Sequence, residues 1–389
     1  MGKRTLHLIL LSAIAFRIAL LFVSIGSNDI RTWNGYGDQI STHGLRYLYD
    51  NVALFNHPPL AGVYAWAVSV ASSTFGIPFY WLFKFPMLLA DLFSAYLIYS
   101  LIQVTSADRS DRTGIIGGTL YVANPATALI SSYHGNTDAL CACFCVLAYW
   151  LMIAKSRPLL AGIAAGLALN VKIIAVPFLL PFLILAADNK ARKTILVGGS
   201  IAIMPIVLAA YLLGAPFIHN VFHYQSKLEF WGITALLCTF FSTVGTDTVA
   251  AIRLLRSYQD LGRYLIVLTV LVGNLALLRR KYPHRSTAGY LWATGTFIIL
   301  APGFGLQYLI YPLTAAFISN WRRAFYLSLH VAIFLVSVYS DFLETLLPLE
   351  SVHTTPFLGL SAVLGISVWA HFVWLIFRQM LEDASPAKD

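Results

Sequence analysis

Charge is scarce in this chain. Asp, Glu, Lys and Arg make up only 11% of its 389 residues, against 58% from the set Ala, Val, Ile, Leu, Met, Phe, Trp, Tyr and Cys. Soluble domains carry roughly 25% charged residues. So few charges cannot cover a core holding this much apolar surface. That excludes a soluble globular enzyme, a disordered chain and a nucleic-acid-binding domain. Acid is scarcer than base, with 17 Asp and Glu against 26 Lys and Arg and a formal net charge of +9. In a membrane protein such an excess is first an orientation signal. Cysteine is scarce as well. Of the 4 present, Cys141, Cys143 and Cys145 share one apolar run. Spacings of two along a helix do not gather ligands on one face for a tetrahedral metal site, so these read as buried, inert thiols. No disulfide framework, internal repeat or low-complexity linker is apparent.

What the chain has in abundance is long apolar runs. A bilayer helix needs about 20 mostly apolar residues, and runs approaching that length recur from residue 7 to residue 377. The first follows Lys3 and Arg4 and contains Arg17; it reads as an uncleaved first helix rather than a signal peptide. Basic clusters at Lys3/Arg4, Arg109/Arg112, Lys155/Arg157, Lys190/Arg192/Lys193, Arg279/Arg280/Lys281/Arg285, Arg322/Arg323 and Arg378/Lys388 are assigned to the cytoplasmic side. Three runs separate the first two clusters, so one of them does not cross. The best candidate is 60–76, which starts at His57-Pro58-Pro59, carries Ser69, Ser72 and Ser73, and ends at Gly76-Ile77-Pro78; it reads as an interfacial or re-entrant helix. Two short runs between Arg157 and Lys190 require a turn near Asn170-Val171-Lys172.

The expected fold is thus an all-α polytopic membrane protein of about twelve transmembrane helices, with both termini cytoplasmic. Residues 1–389 form a single transmembrane domain with a large first outer loop at 27–80, holding the interfacial helix, and a second at 215–260. Two charges fall deep inside spans. Arg17 and Asp91 each lie roughly 13–15 Å from the outer end of their helices. Unpaired charges there are costly, so the two are predicted to pair.

Asp29 stands where the first helix meets the outer loop. A carboxylate at that boundary is partly desolvated and still reaches a substrate, which suits a general base acting on a hydroxyl. Asp38, nine residues on, is the rival. After Asp29 come Trp33, then His43-Gly44 and Tyr49, then Asn56-His57-Pro58-Pro59-Leu60. This order resembles the GT-C superfamily of integral-membrane glycosyltransferases, which use polyprenyl- or dolichyl-phosphate sugars. Its first outer loop carries the catalytic acid and horizontal helices, and often a Tyr-Pro-Pro-Leu in whose place His57 stands here. Asn124-Pro125 followed by Ser131 through Gly135-Asn136-Thr137-Asp138 is similar to the superfamily's Asn-Pro and Gly-(Gln/Asn)-x-Asp stretch. Ala161-Gly162 through Gly166 to Lys172 resembles its glycine-bearing helix followed by Lys, and Gln307-Tyr308 resembles a late Gln-Tyr pair. The likeness covers most of residues 1–320. The paired-acid Asp-x-Asp form is missing, since Asn28 precedes Asp29 and Arg31 follows it.

The resemblance implies an inverting glycosyltransferase. It would move a hexose, mannose favoured, from a polyprenyl-phosphate sugar to a lipid- or glycan-linked acceptor hydroxyl on the outer side. Asp29 or Asp38 would be the base. Cations must hold the developing phosphate charge: Lys172 at its tight turn, and Arg253 with Arg256, three apart on one helical face. Lys227 and Arg263 lie in or just past the same loop. His57, His134, Asp138, Gln307 and Tyr308 are the candidate sugar contacts. Trp33, Tyr36, Tyr64 and Trp231 could stack on sugars or belong to an interfacial aromatic belt. His219 and His223, four apart, lack the acidic partner of a zinc motif and read as structural. No cofactor is expected, and dependence on a divalent metal is left open. The expected partners are the lipid-linked donor, a glycolipid or glycan acceptor and the bilayer, not nucleic acid. The location is integral and multi-pass, in the plasma membrane of a prokaryote or the endoplasmic reticulum of a eukaryote. Three rivals compete with this expectation. A lipid-linked-sugar transporter or flippase would show repeats and mid-bilayer polar groups. Glucosyl or arabinosyl transfer would use the same fold. A non-enzymatic assembly subunit would not need Asp29.

Overall fold

Helix forms wherever the apolar runs lie, because backbone groups away from water must be satisfied within their own segment. The computed structural model describes residues 2–105, 111–186, 188–223, 231–244, 248–279, 285–346 and 360–384. Among these there is no strand. The helices are α1 (Lys3–Val23), α2 (Asn28–His43), α3 (Leu45–Asn51), α4 (Pro59–Phe75), α5 (Phe79–Thr105) and α6 (Asp111–Val122). Next come α7 (Pro125–Ala128), α8 (Asp138–Ile153), α9 (Pro158–Val171), α10 (Val176–Ile184), α11 (Asn189–Ala202) and α12 (Met204–Leu213). The last are α13 (Ala215–Phe222), α14 (Gly232–Val244), α15 (Thr248–Leu278), α16 (Arg285–Leu300), α17 (Ile310–Leu346) and α18 (Leu360–Ala384). Lys227, the run of residues 347–359 and the basic residues Arg109, Arg280, Lys281 and Lys388 lie outside the described residues.

Among the described residues five helices are long and apolar enough to cross a membrane, or six if the pair α11 and α12, bent by 47°, is one span. Several other runs become shorter apolar helices, among them α8, α9 and the segment Ile173–Ile184. Local chemistry explains the breaks. The run at 114–131 is cut after Val122, where Asn124 accepts from the Ala126 N–H at 2.9 Å and Pro125 opens a new helix. A single π-type turn, Leu129–His134, then carries the chain to Gly135. In α17 the backbone leaves helical angles at Asn320, whose Oδ1 accepts from the Arg323 N–H at 3.2 Å. Asn320 thereby caps a second helix inside the element.

Two apolar cores result. The larger runs through α5, α8, α9, α10, α16, α17 and α18. Its tightest seam joins α9 to α11. A Cβ on Gly162 would lie 2.1 Å from the Ile195 carbonyl oxygen, and one on Gly198 would lie 2.2 Å from that of Leu159. Backbones this close need small residues, a common packing device between membrane helices. The second core belongs to the 27–80 segment and is rich in aromatics: Trp33, Tyr36, Tyr49, Phe55, Phe79 and Phe83, closed by Phe217 and Val221 of α13. The segment read from sequence as a large loop is therefore a helical subassembly. The run 60–76 forms α4, packed on α2 where Gly37 faces Ala65 and Ser69.

Arg17 and Asp91 do pair. Arg17 is 1% exposed, and its guanidinium is fully engaged. It donates to Asp91, to the Val122 carbonyl at 2.8 Å, to Thr127 Oγ1 at 2.7 Å and to Ser131 Oγ at 3.1 Å. Asp91 also accepts from the Tyr121 hydroxyl at 2.7 Å and from Ser131 at 2.9 Å. The bridge thus joins α1, α5 and α6 to the π-type turn that ends at His134.

Candidate active site

One turn of chain delivers most of the polar groups. Gly135 takes φ 81°, a left-handed value that glycine adopts without strain. A Cβ there would also press on Ile30 at 2.5 Å. The turn sends His134 and Asn136 toward one carboxylate and Asp138 toward a lysine.

The first carboxylate is Asp29, in the opening turn of α2. Ser27 caps that helix, accepting from the Asp29 N–H at 3.3 Å while its own hydroxyl donates to the His134 carbonyl at 2.7 Å. A helix N-terminus favours a negative charge. Asp29 Oδ2 meets His134 Nε2 at 3.1 Å and accepts from the Asn136 side-chain amide at 2.5 Å. Both contacts fall on one oxygen. Oδ1 is left open, and the side chain is 38% exposed. His134 Nδ1 in turn meets the Tyr339 hydroxyl of α17 at 2.9 Å. Burial pushes the Asp29 pKa up, but the bonds from His134 and Asn136 and the Lys172 charge outweigh it. The carboxyl is held well below the usual carboxylate range and is ionised at neutral pH.

The second carboxylate, Asp138, is buried. It accepts from Lys172 Nζ at 2.6 Å and from the Tyr311 hydroxyl at 2.7 Å. Lys172 ends α9 with extended backbone, so its side chain leaves the helix at the break anticipated from sequence. Its Nζ lies 5.7 Å from the Tyr308 ring centre.

Lys172 and Tyr308 line a cavity of about 260 Å³, together with Asn56, His57, Gln259 and Arg263. Ile174, Val221, Phe222 and Ile266 belong to the same lining. The cavity wall is thus part cationic and part apolar. Among the described residues no carboxylate forms an ion pair with Arg263; its Nη1 reaches only the Phe222 carbonyl at 3.4 Å, and its Nε has no hydrogen-bond partner. His57 packs at 4.5 Å on the ring of Trp33, which lies one helical turn after Asp29. Burial first, then the Lys172 charge, push the His57 imidazole down to about 3 against the pull of Asp29, so it is neutral near neutral pH. Asp29 stands beside this cavity, within electrostatic reach of Lys172 and His57.

The remaining candidates lie apart. Asp38 is exposed and accepts from Ser69 of α4 at 2.6 Å and from Asn34 at 3.5 Å. Nine residues of helix put it about 13 Å from Asp29 along the axis. Arg253 and Arg256 are exposed on α15 and are not in the cavity wall; Arg263, two to three turns further on, is. Gln307 sits in the 3-10 turn Leu306–Leu309, half-buried behind Gly305. His219 and His223 stack on each other at 6.0 Å. Among the described residues no group of three or more His, Cys, Asp and Glu is arranged to hold a metal. Sequence reasoning gave no role to Tyr339 or Tyr311, which carry no signal inside apolar runs. It had Asn136 only as part of a motif.

Asp29, held at one oxygen, thus stands beside a cavity lined by cations and apolar side chains. The model of glycosyltransferase family 87 matches residues 55–255, and the chain belongs to that family. It is a membrane glycosyltransferase. No curated protein matches the chain.

Proposed function

We propose that this glycosyltransferase moves a hexose, mannose first, from a polyprenyl-phosphate donor to an acceptor hydroxyl on a glycolipid or glycan, with inversion. The observation that carries the reading is the pairing of Asp29, free at one oxygen, with a cavity whose wall mixes two cations with apolar side chains. The apolar side chains suit the first units of a lipid chain. Lys172 and Arg263 suit its phosphate. Arg263 is the better anion partner, since Lys172 is already neutralised by Asp138. In the reaction the acceptor oxygen forms a bond to the anomeric carbon, and the bond from that carbon to the phosphate oxygen breaks. The acceptor proton passes to Asp29 Oδ1, and the charge left on the polyprenyl phosphate is balanced by Arg263 and Lys172. A phosphate leaves without needing a proton. A strongly ionised carboxylate is a weak base, but it loses none of its population to protonation, and the acceptor becomes acidic as its new bond forms. Neutral His57 and the Tyr308 ring would meet sugar hydroxyls and a sugar face, with Gln307 next to Tyr308 in the chain as a further sugar contact.

The basic clusters support about twelve crossings with both termini cytoplasmic and the 27–80 subassembly outside. The acceptor would then meet the site on the periplasmic, extracellular or lumenal face. No cofactor is required for this chemistry.

Purified protein should transfer mannose from polyprenyl-phosphate mannose in preference to polyprenyl-phosphate glucose. Asp29→Asn should lower kcat by about 10²–10⁴-fold with the fold intact. Transfer from a nucleotide sugar alone would overturn the lipid-donor reading, and full activity of Asp29→Asn would remove Asp29 as base.

A further inference from the structure

We propose that Tyr339 is a positioning residue for catalysis: its hydroxyl fixes the proton of His134 on Nε2 and so holds Asp29 with Oδ1 turned to the acceptor. The proposal rests on reading Asp29 as the base. An ionised carboxylate can only accept. His134 Nε2, at 3.1 Å from Asp29 Oδ2, must therefore carry hydrogen. In the neutral ring Nδ1 is then an acceptor, and the Tyr339 hydroxyl at 2.9 Å must donate to it. Tyr339 is 3% exposed and His134 5%, so water does not compete freely for either contact. Asn136 bonds the same carboxylate oxygen. Among the described residues the titratable and charged groups at His134 are Asp29 from α2, Tyr339 from α17 and its chain neighbour Tyr133, whose ring lies 4.8 Å from that of Tyr339. The Lys172 charge reaches Asp29.

Without the Tyr339 hydroxyl, Nδ1 is a buried acceptor with nothing to accept. The ring is then free to carry its proton there instead, which puts the Nε2 lone pair against the carboxylate and pushes Asp29 out of position. The loss should therefore show as a change of the His134 tautomer, which a packing defect would leave in place.

The test compares wild type, Tyr339→Phe and Asp29→Asn with polyprenyl-phosphate mannose, and reads the His134 tautomer by ¹⁵N-histidine NMR, assigned by its loss in His134→Gln. In wild type His134 should be protonated at Nε2. In Tyr339→Phe that state should be lost or mixed. Its kcat should fall about 10–100-fold at pH 8, with donor KM within about twofold of wild type. A wild-type His134 protonated at Nδ1 would overturn the proposal without any variant. So would a change in KM alone. The two readings fail differently: an active Asp29→Asn removes the base and this proposal with it, whereas an inactive Asp29→Asn beside an unaffected Tyr339→Phe removes this proposal only.

Discussion

Asp29 illustrates how single side chains are placed in this site. Its backbone position follows from a helix cap at Ser27, but its orientation comes from His134 and Asn136, more than a hundred residues away. Position relative to the apolar runs was enough to mark Asp29 and Lys172, because a charge at the edge of such a run is rare and costly unless used or paired. Tyr339 left no such mark, being one of 20 tyrosines in an apolar chain. The arginines show the same limit. Spacing made Arg253 and Arg256 a candidate fork, and the fold instead turns Arg263 into the cavity. A hydrogen bond to a charged group contributes about 1.5–3 kcal/mol. Arg263→Ala should therefore raise donor KM about 10–100-fold, while Arg253→Ala should leave it nearly unchanged, as read by steady-state kinetics over donor concentration. The reverse pattern would move the phosphate to the exposed face of α15.

At the scale of elements, the buried bridge between α1 and α5 is the device that locates the site. Arg17 and Asp91 hold Ser131, and three residues later the same turn presents His134. Breaking a buried pair by removing one partner costs about 3–5 kcal/mol, because the other charge remains uncompensated. Asp91→Asn should accordingly lower the thermal midpoint in detergent and reduce transfer as the turn loosens. Arg17→Met combined with Asp91→Leu should recover part of the midpoint. A variant Asp91→Asn that melts like wild type would show that the bridge does not hold these helices together. The pair was legible from sequence because two opposite charges at matching depth have few other solutions. The cut at Asn124-Pro125 was not read as a helix end, since apolar composition runs on across it and the cap depends on side-chain geometry; the break at Asn320 falls where one apolar run ends just before the basic pair Arg322/Arg323.

At the scale of the molecule, the outside is greasy. Leu8, Leu11, Phe16, Phe22 and Val23 of α1 are all exposed. A surface of that kind is stable only against lipid. Sidedness can be measured directly. Cys141, Cys143 and Cys145 are buried, so Cys238→Ser leaves a background with no accessible thiol among the native cysteines. In right-side-out vesicles an impermeant maleimide should label His43→Cys without permeabilisation and Lys155→Cys only after it. Labelling of both from the same side would contradict the proposed orientation.

Composition alone determined that the chain is helical and membrane-embedded, since scarce charge and long apolar runs leave backbone groups no partners but their own helix. Basic clusters, a carboxylate at a helix boundary and two buried opposite charges were equally local signals. What only the tertiary structure decided is which groups meet. The left-handed turn at Gly135 brings His134 and Asn136 to Asp29 and Asp138 to Lys172, α17 sets Tyr339 behind His134, and α15 brings Arg263 rather than Arg253 or Arg256 into the cavity wall. Those contacts join residues from opposite ends of the chain, and no pattern within one apolar run encodes the face that another helix will cover.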